Sequence, residues 1–346
     1  MDRQFPPEIV QLIVEASLDP YDLFSHSWSE LRRRYEILTK YSLLNWTWQG
    51  ASAPSLHELV VIENEEQAAS FLDLLDAKGG IIGGIRDLSI ELGVSEQSAS
   101  ARILRAATGA VKVSLVYGTV SVDDLAHLQQ LRRLELYKVE LVGSPASASL
   151  SLPRLDRLEL LRVSISPSAA HFLTPPSLPQ LRKLELDDNS ASVDPLVPQL
   201  EAVFFESTND RSLSAATSLQ LLLLPLEPIS RLGMLSDLPT LPPFLSIDCE
   251  DLVPGALNQR LHSTLTQLFT TTKPGLRVIL LLARNWEDEG GDDELDALIE
   301  QVKRRGIRVV QENFLGSNFS AAIRAMERIL AEEKRAVEKV KESKRR

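Results

Sequence analysis

Three phrases in the middle of the chain are near copies of one another: LRRLEL at 131–136, LDRLEL at 155–160 and LRKLEL at 181–186. Leu134 precedes Leu158 by 24 residues, and Leu158 precedes Leu184 by 26. Internal repetition constrains a fold more tightly than local propensity does, because each copy has to occupy an equivalent place beside its neighbours. Within each phrase leucine alternates with charge, and the side chains of an extended strand alternate between two faces. The phrases therefore predict strands with one leucine face and one charged face.

A period of about 20–29 residues with leucines spaced L-x-x-L-x-L-x-x-N/C-x-L is the signature of leucine-rich repeats. The central copies follow it as Leu131, Leu134, Leu136, Leu141, then Leu155, Leu158, Leu160, Ile165, then Leu181, Leu184, Leu186 with Asn189 at the polar turn position. Val139 and Val163 stand at that turn position in the first two, where no side-chain amide can hold the backbone. Weaker copies precede them at Leu56/Leu59/Val61 (with Asn64 at the turn position), Ile85/Leu88/Ile90 and Ala110/Val113/Leu115. Others follow at Leu200/Val203/Phe205, Leu219/Leu222/Leu224 and Leu245/Ile247. EEQAASFLDLLDAKGG and SEQSASARILRAA read as intervening helices, and residues 276–283, ELDALIEQVKRRG and 307–312 as a last strand, helix and strand. The expected fold class is α/β: a leucine-rich-repeat solenoid with a parallel sheet over residues 56–316, a small helical domain at 1–55 and a charged helix at 317–346.

Composition narrows the function classes. With 44% hydrophobic and 25% charged residues the chain can bury a large core and is no disordered segment. No apolar run reaches the ~18 residues of a membrane span, and MDRQFPPEIV does not read as a signal peptide. A net charge of −11 opposes broad binding to nucleic acid or an anionic membrane, both of which are held mainly by neutralising phosphates. The single cysteine, Cys249, permits neither an internal disulfide nor a thiolate zinc site. Five dispersed histidines and the absence of a G-x-S-x-G elbow give no catalytic constellation. GGIIGG (79–84) lacks the lysine of a phosphate loop and reads as a turn, WEDEGGDDELD (286–296) reads as an acidic loop without calcium-loop spacing, and LRRRY (31–35) reads as a solvated helix face. The expectation is a binding protein of the cytosol or nucleus, with no catalytic residues, cofactor or metal.

The first 55 residues differ from the repeats. FPPEIVQLIVEASL places proline at a helix start and Ile9, Leu12, Ile13 and Ala16 on one face. YSLLNWTWQGASAPSLHELVVI runs from an apolar helix containing Trp46 and Trp48 through small residues into the first repeat strand. This region resembles the F-box and F-box-like proteins, particularly the fungal ones that join the motif to leucine-rich repeats. The family pattern L-P-x-E-I-L-x-x-I is met by Phe5, Pro6, Pro7, Glu8, Ile9, Val10, Gln11, Leu12 and Ile13, with only the first leucine replaced. A second half close to V-C-x-x-W is met by Leu44, Asn45 and Trp48, followed by Ala51, Pro54 and Leu56. The resemblance implies that this domain docks on the Skp-type adaptor of a cullin-RING ubiquitin ligase, with Pro6, Ile9, Leu12, Ile13, Leu44 and Trp48 as the adaptor-facing surface or its support. The repeats would then present a surface to a protein substrate whose identity no motif reveals. A leucine-rich-repeat scaffold whose N-terminal helices only cap the solenoid is the alternative.

The strand positions between the leucines should point away from the leucine face. In the central repeats they carry a basic column (Lys112, Arg133, Arg157, Lys183) beside an acidic one (Glu135, Glu159, Glu185), expected as a solvated face worth about 0.2–1 kcal/mol per pair. Downstream the same positions become apolar at Ala202, Phe204, Leu221 and Leu223. Phe204, Leu221 and Leu223 are therefore candidate partner-binding residues, unless the register slips there or the chain's own C-terminal segment covers them. In that segment Ile323, Met326, Ile329 and Leu330 form one apolar stripe.

Overall fold

We describe the fold from a computed structural model of the chain. The structure describes residues 5–17, 28–77, 84–91, 97–144, 150–186, 193–205, 213–225, 235, 238, 240–249, 265–266, 275–283, 293–313 and 318–343. The chain falls into two compact units, residues 1–181 with 187–196, and residues 182–186 with 197–346.

The first unit opens with three helices, α1 (Pro7–Ser17), α2 (Trp28–Ser42) and α3 (Trp46–Glu58). Then come β1 (Leu59–Ile62), α4 (Glu65–Ala77), β2 (Asp87–Glu91), α5 (Gln97–Ala106), β3 (Lys112–Ser121), α6 (Val122–Leu125), β4 (Arg133–Val142), β5 (Arg157–Leu161) and β6 (Ser164–Ile165). Strands β1 to β5 pair in sequence order, all parallel, and β6 pairs with the far end of β4. The leucine positions stack into two columns. One runs Leu88, Val113, Leu134, Leu158 and the other Ile90, Leu115, Leu136, Leu160, every member buried. Burying each such side chain contributes roughly 1.5–3 kcal/mol, so these columns dominate the packing.

Local signals set the helix starts. Asn64 accepts a hydrogen bond from the Gln67 N–H at 2.9 Å, while the Gln67 side chain accepts from the Glu63 N–H at 2.7 Å, so the asparagine read as a repeat turn residue caps α4. In β1 the register differs from expectation by one residue: Leu59 pairs with Asp87 and Val60 with Leu88. Helix α3 runs through to Glu58, leaving no turn before the strand, so Val60 and Ile62 continue the leucine columns instead of Leu59 and Val61. A one-residue shift exchanges the two faces of a strand.

The long strands turn a corner. Residue Val116 pairs with Tyr137 and Gly118 with Val139, the ladder passing over Tyr117 and Lys138. Tyr117 has φ 64°, Lys138 φ 54°, and Arg162, which follows the Tyr137–Leu161 pair in the next repeat, φ 54°. Left-handed backbone costs a non-glycine residue about 1–2 kcal/mol. Beyond the corner a second ladder resumes, with Glu140 opposite Ser164 and Leu141 opposite Ile165.

The second unit contains β7 (Lys183–Leu186), β8 (Ala202–Phe205), β9 (Leu221–Pro225), β10 (Phe244–Asp248), β11 (Val278–Ala283), α7 (Asp293–Arg304), β12 (Arg308–Asn313) and α8 (Asn318–Ser343). The strands among its described residues are parallel and again paired in sequence order. One leucine column runs Leu184, Val203, Leu222, Leu245, Ile279, Val309. Both units are thus mixed α/β assemblies with parallel sheets of leucine-rich-repeat type. Asn189, residues 79–83 and residues 286–292 of the acidic segment lie outside the described residues, while Asp293 begins α7.

Candidate protein-binding surfaces

Helix α1 starts at the Pro6–Pro7 pair, where the Pro6 carbonyl accepts the N–H groups of Ile9 and Val10. The helix is apolar on two sides. Val10 and Val14 are buried with Leu38 of α2, and Ile37, Tyr41, Trp48 and Ala51 pack around them. The Asn45 side chain caps α3 by accepting from the N–H groups of Thr47 and Trp48 at 2.9 and 3.2 Å. That cap holds the Trp48 ring against Tyr41 with centroids 5.1 Å apart, which makes Trp48 a support of the helical core rather than open surface.

The second stripe of α1 is Ile9, Leu12 and Ala16, spaced three and four residues apart, and all three are exposed, as is Phe5 two residues before the helix. Leu12 retains 59% of its accessible surface. Pro6 and Leu44 are also exposed and Ile13 is half-buried, whereas Ile9 and Leu12 do not belong to the buried face of the helix. Sequence reasoning passed over Leu43 and Trp46 as surface residues. Trp46, in the first turn of α3, is 86% exposed. The available signal was the position of Trp46 directly after the helix cap, two residues before the tryptophan that packs inward. Side chains of Pro54 and Leu56 lie outside the described residues, although both positions are helical.

The charged strand face of the first unit is not solvated, contrary to expectation. Lys112 is 2% exposed and Arg133 3%, and Asp87, Arg157 and Glu159 are buried as well. The ammonium of Lys112 lies 3.2 Å from Glu135, which meets Arg133 at 2.6 Å. Arg133 reaches on to Glu159 at 2.9 Å, and Glu159 meets Arg157 at 2.6 Å. Ions withdrawn from water need this pairing, because an isolated buried charge costs several kcal/mol. Burial pushes the Glu135 carboxyl up, but the charges of Lys112, Arg133 and Arg157 and a hydrogen bond from Lys112 outweigh it and hold its pKa at about 2.

In the second unit β7 still carries Lys183 and Glu185 at the corresponding positions, and from β8 to β11 they turn apolar, as Ala202, Leu221, Phe244, Val278 and as Phe204, Leu223, Leu280 with Ser246 between the last two. Phe204, Leu221 and Leu223, candidates for partner binding from the sequence, are buried within the chain itself. Helix α8 lies over them with Phe319, Ala322, Ile323, Met326 and Ile329, and the Phe204 and Phe319 rings stack at 6.4 Å. The register expected there was right, and the cover comes from the C-terminal helix. Leu330, assigned to the same helical stripe, is exposed instead. Lys183 bonds Glu327 of the helix at 3.1 Å, Arg277 bonds Glu333 at 2.6 Å, Arg308 meets Glu332 at 3.5 Å, and Arg328 of the helix pairs with Glu312.

Among the described residues no cluster of three or more histidine, cysteine or carboxylate side chains could hold a metal ion. Nor is any described helix long and apolar enough to cross a membrane. No family model matches the chain, and neither does any curated protein. Among solved structures it is similar to a crystal structure of an internalin (inlF) from Listeria monocytogenes, at 16% identity over 68% of this chain and 69% of that one, with a TM-score of 0.31. That score is too low to carry an argument, and the leucine-rich-repeat assignment rests on the strand registers and leucine columns of the chain itself.

Proposed function

We propose that the chain is a protein-interaction module that docks on the Skp-type adaptor of a cullin-RING ubiquitin ligase through its N-terminal helices and receives a protein substrate on its repeats. It would work in the cytosol or nucleus and carry no catalytic group of its own. The observation that supports this reading is the second apolar stripe of α1, Ile9 and Leu12, left open together with the preceding Phe5 while Val10 and Val14 close the helical core. Helices that merely cap a repeat array need a polar outer face to keep it soluble. Here the outer face carries phenylalanine, isoleucine and leucine, with Leu43, Leu44 and Trp46 exposed at the α2–α3 connection. Apolar surface of this kind on a soluble chain marks a contact site, and its large side chains are the type that dominate contact energies.

The test is binding of the purified full chain to a purified Skp-type adaptor. Wild-type protein should form a complex that Ile9→Asp/Leu12→Asp abolishes, with unfolding temperature unchanged because neither side chain enters the helical core. No complex with the wild type, or undiminished binding by the double variant, overturns the adaptor reading. A repeat scaffold with a helical cap would then be the remaining description.

A further inference from the structure

Strand β12 ends the sheet of the second unit with one side open. The Arg308 N–H donates to the Arg277 carbonyl at 2.9 Å, which turns the backbone groups of Arg308, Val310 and Glu312 toward β11. Successive residues of a strand direct their N–H and C=O to opposite sides, so those of Ile307, Val309, Gln311 and Asn313 point away from it. Among the described residues no bond reaches the N–H or C=O of Val309 or Gln311 on that side. Val309 and Val310 are half-buried, where their β11 neighbours Ile279 and Leu280 are fully buried.

Exposed edges are usually blunted by proline, lysine, a bulge or a very short strand. Strand β12, RVVQEN, is six residues long, pairs with β11 residue for residue and contains neither proline nor lysine. Such an edge is a template for another strand.

The sequence of the strand selects the occupant. Two copies related by a two-fold axis meet antiparallel and pair symmetrically about one residue. With the axis at Val310, Val309 of each copy faces Gln311 of the other, and these outward groups exchange four hydrogen bonds. Val310 then meets its own counterpart on the face that packs against α8. Arg308 falls opposite Glu312 of the second copy. Both already pair with α8, Arg308 with Glu332 at 3.5 Å and Glu312 with Arg328. The register therefore needs no free charge, and sets Glu332 and Arg308 beside the second copy's Glu312 and Arg328 in alternating sign. Moving the axis by one residue puts Val310 opposite Arg308 or Glu312, and moving it by two puts like charges face to face. The chain's excess of acid lies elsewhere, since residues 293–346, which supply α7, β12 and α8, hold ten acidic and thirteen basic side chains.

We propose that β12 is the contact of a two-fold dimer of this chain, formed by antiparallel pairing about Val310. The pairing uses up the open side of β12 in each copy, so the assembly closes at two. It is independent of the adaptor reading.

Sedimentation equilibrium of the full chain over a concentration series tests it. The mass should approach twice that of one chain, and Ile9→Asp/Leu12→Asp should associate as wild type does, which separates this contact from the adaptor site. Gln311→Pro removes an outward N–H and spares the ladder to β11, so it should weaken association at least tenfold with far-ultraviolet circular dichroism unchanged. Arg308→Glu and Glu312→Arg should each be monomeric alone and dimerise when mixed, because opposite charges then meet at both ends of the contact. Peptides covering 307–313 should exchange amide hydrogen more slowly as concentration rises. Should the proline unfold the strand, the charge variants decide alone. The proposal is overturned by a monomer at every concentration, by a dimer that Gln311→Pro leaves intact, or by charge variants that fail to combine. Association lost in Ile9→Asp/Leu12→Asp would assign the dimer to α1 and equally overturn it.

Discussion

The same strand positions are filled in opposite ways in the two units. In the first unit, positions between the leucines carry Lys112, Arg133, Arg157, Glu135 and Glu159, knitted into a buried chain of ion pairs. In the second only β7 keeps such charges, Lys183 and Glu185, and from β8 onward the positions carry Ala202, Leu221, Phe244 and Val278 with Phe204, Leu223 and Leu280, closed by an apolar helix. The leucine columns on the other face are of one kind in both. A repeat therefore fixes only half of each strand, and the other half can be satisfied by charge pairing or by apolar cover. The two solutions fail differently. A charge ladder depends on every partner being present, whereas an apolar interface loses energy in proportion to the surface removed.

The largest effects expected are from single substitutions that break each solution. Glu159→Ala should cost about 3–5 kcal/mol, because it leaves the Arg133 and Arg157 guanidiniums withdrawn from water without their shared carboxylate. Phe204→Ala should cost a similar 3–5 kcal/mol by opening a cavity under α8. Denaturant unfolding measures both, and a Glu159→Ala cost below 1 kcal/mol would return the ladder to the solvent-facing role expected from sequence.

Acid should separate the units next. The Glu135 carboxyl titrates at about 2 in the folded chain against an ordinary 4.5, so the folded state binds fewer protons between those values. Its contribution is complete above about pH 4.5 and is lost as pH falls towards 2, a change on the order of 3 kcal/mol. The apolar columns of β8 to β11 contain no carboxylate. Peptide-resolved hydrogen exchange, corrected for the intrinsic pH dependence, should show β3 to β5 losing protection in that window before β9 to β11. Simultaneous loss in both would mean that Glu135 does not govern the first unit.

The smallest effect sharpens the picture of how α8 is held. Arg277 and Glu333 are both substantially exposed, so Glu333→Gln should change stability by less than about 1 kcal/mol. A larger loss in thermal unfolding would show that the rim ion pairs, and not Phe319 and Ile323, fasten the helix.

Much of this architecture was legible in the leucines, because a period of two within a period of about 24 has one reading. The first repeat was misread by one residue because a helix running directly into a strand leaves no turn to fix the phase. Helix α1 was recognisable, but its packed face was not. Both Ile9/Leu12 and Val10/Val14 are apolar stripes, and only the neighbours Leu38 and Trp48 decide which one closes. The charged columns were placed correctly across β2 to β5, yet alternation tells which face a side chain occupies and nothing of what lies over it. The corner at Tyr117, Lys138 and Arg162 left one mark, Gly118 beside the tyrosine, and no glycine or asparagine repeats it in the next two strands.

The order of elements in the second unit has a consequence during synthesis. Strands β8 and β9 can pair as soon as they are made, because each bonds to its predecessor in the chain. Their cover cannot form then, because Ile329 of α8 is translated roughly 100 residues after Leu223, an interval of about 5–20 s at ordinary elongation rates. Throughout that delay the ribosome-bound chain displays a leucine and phenylalanine surface with nothing of its own to lay on it. A chaperone is then the fitting temporary tenant, and slowing translation before Phe319 should lengthen the nascent chain's dependence on one.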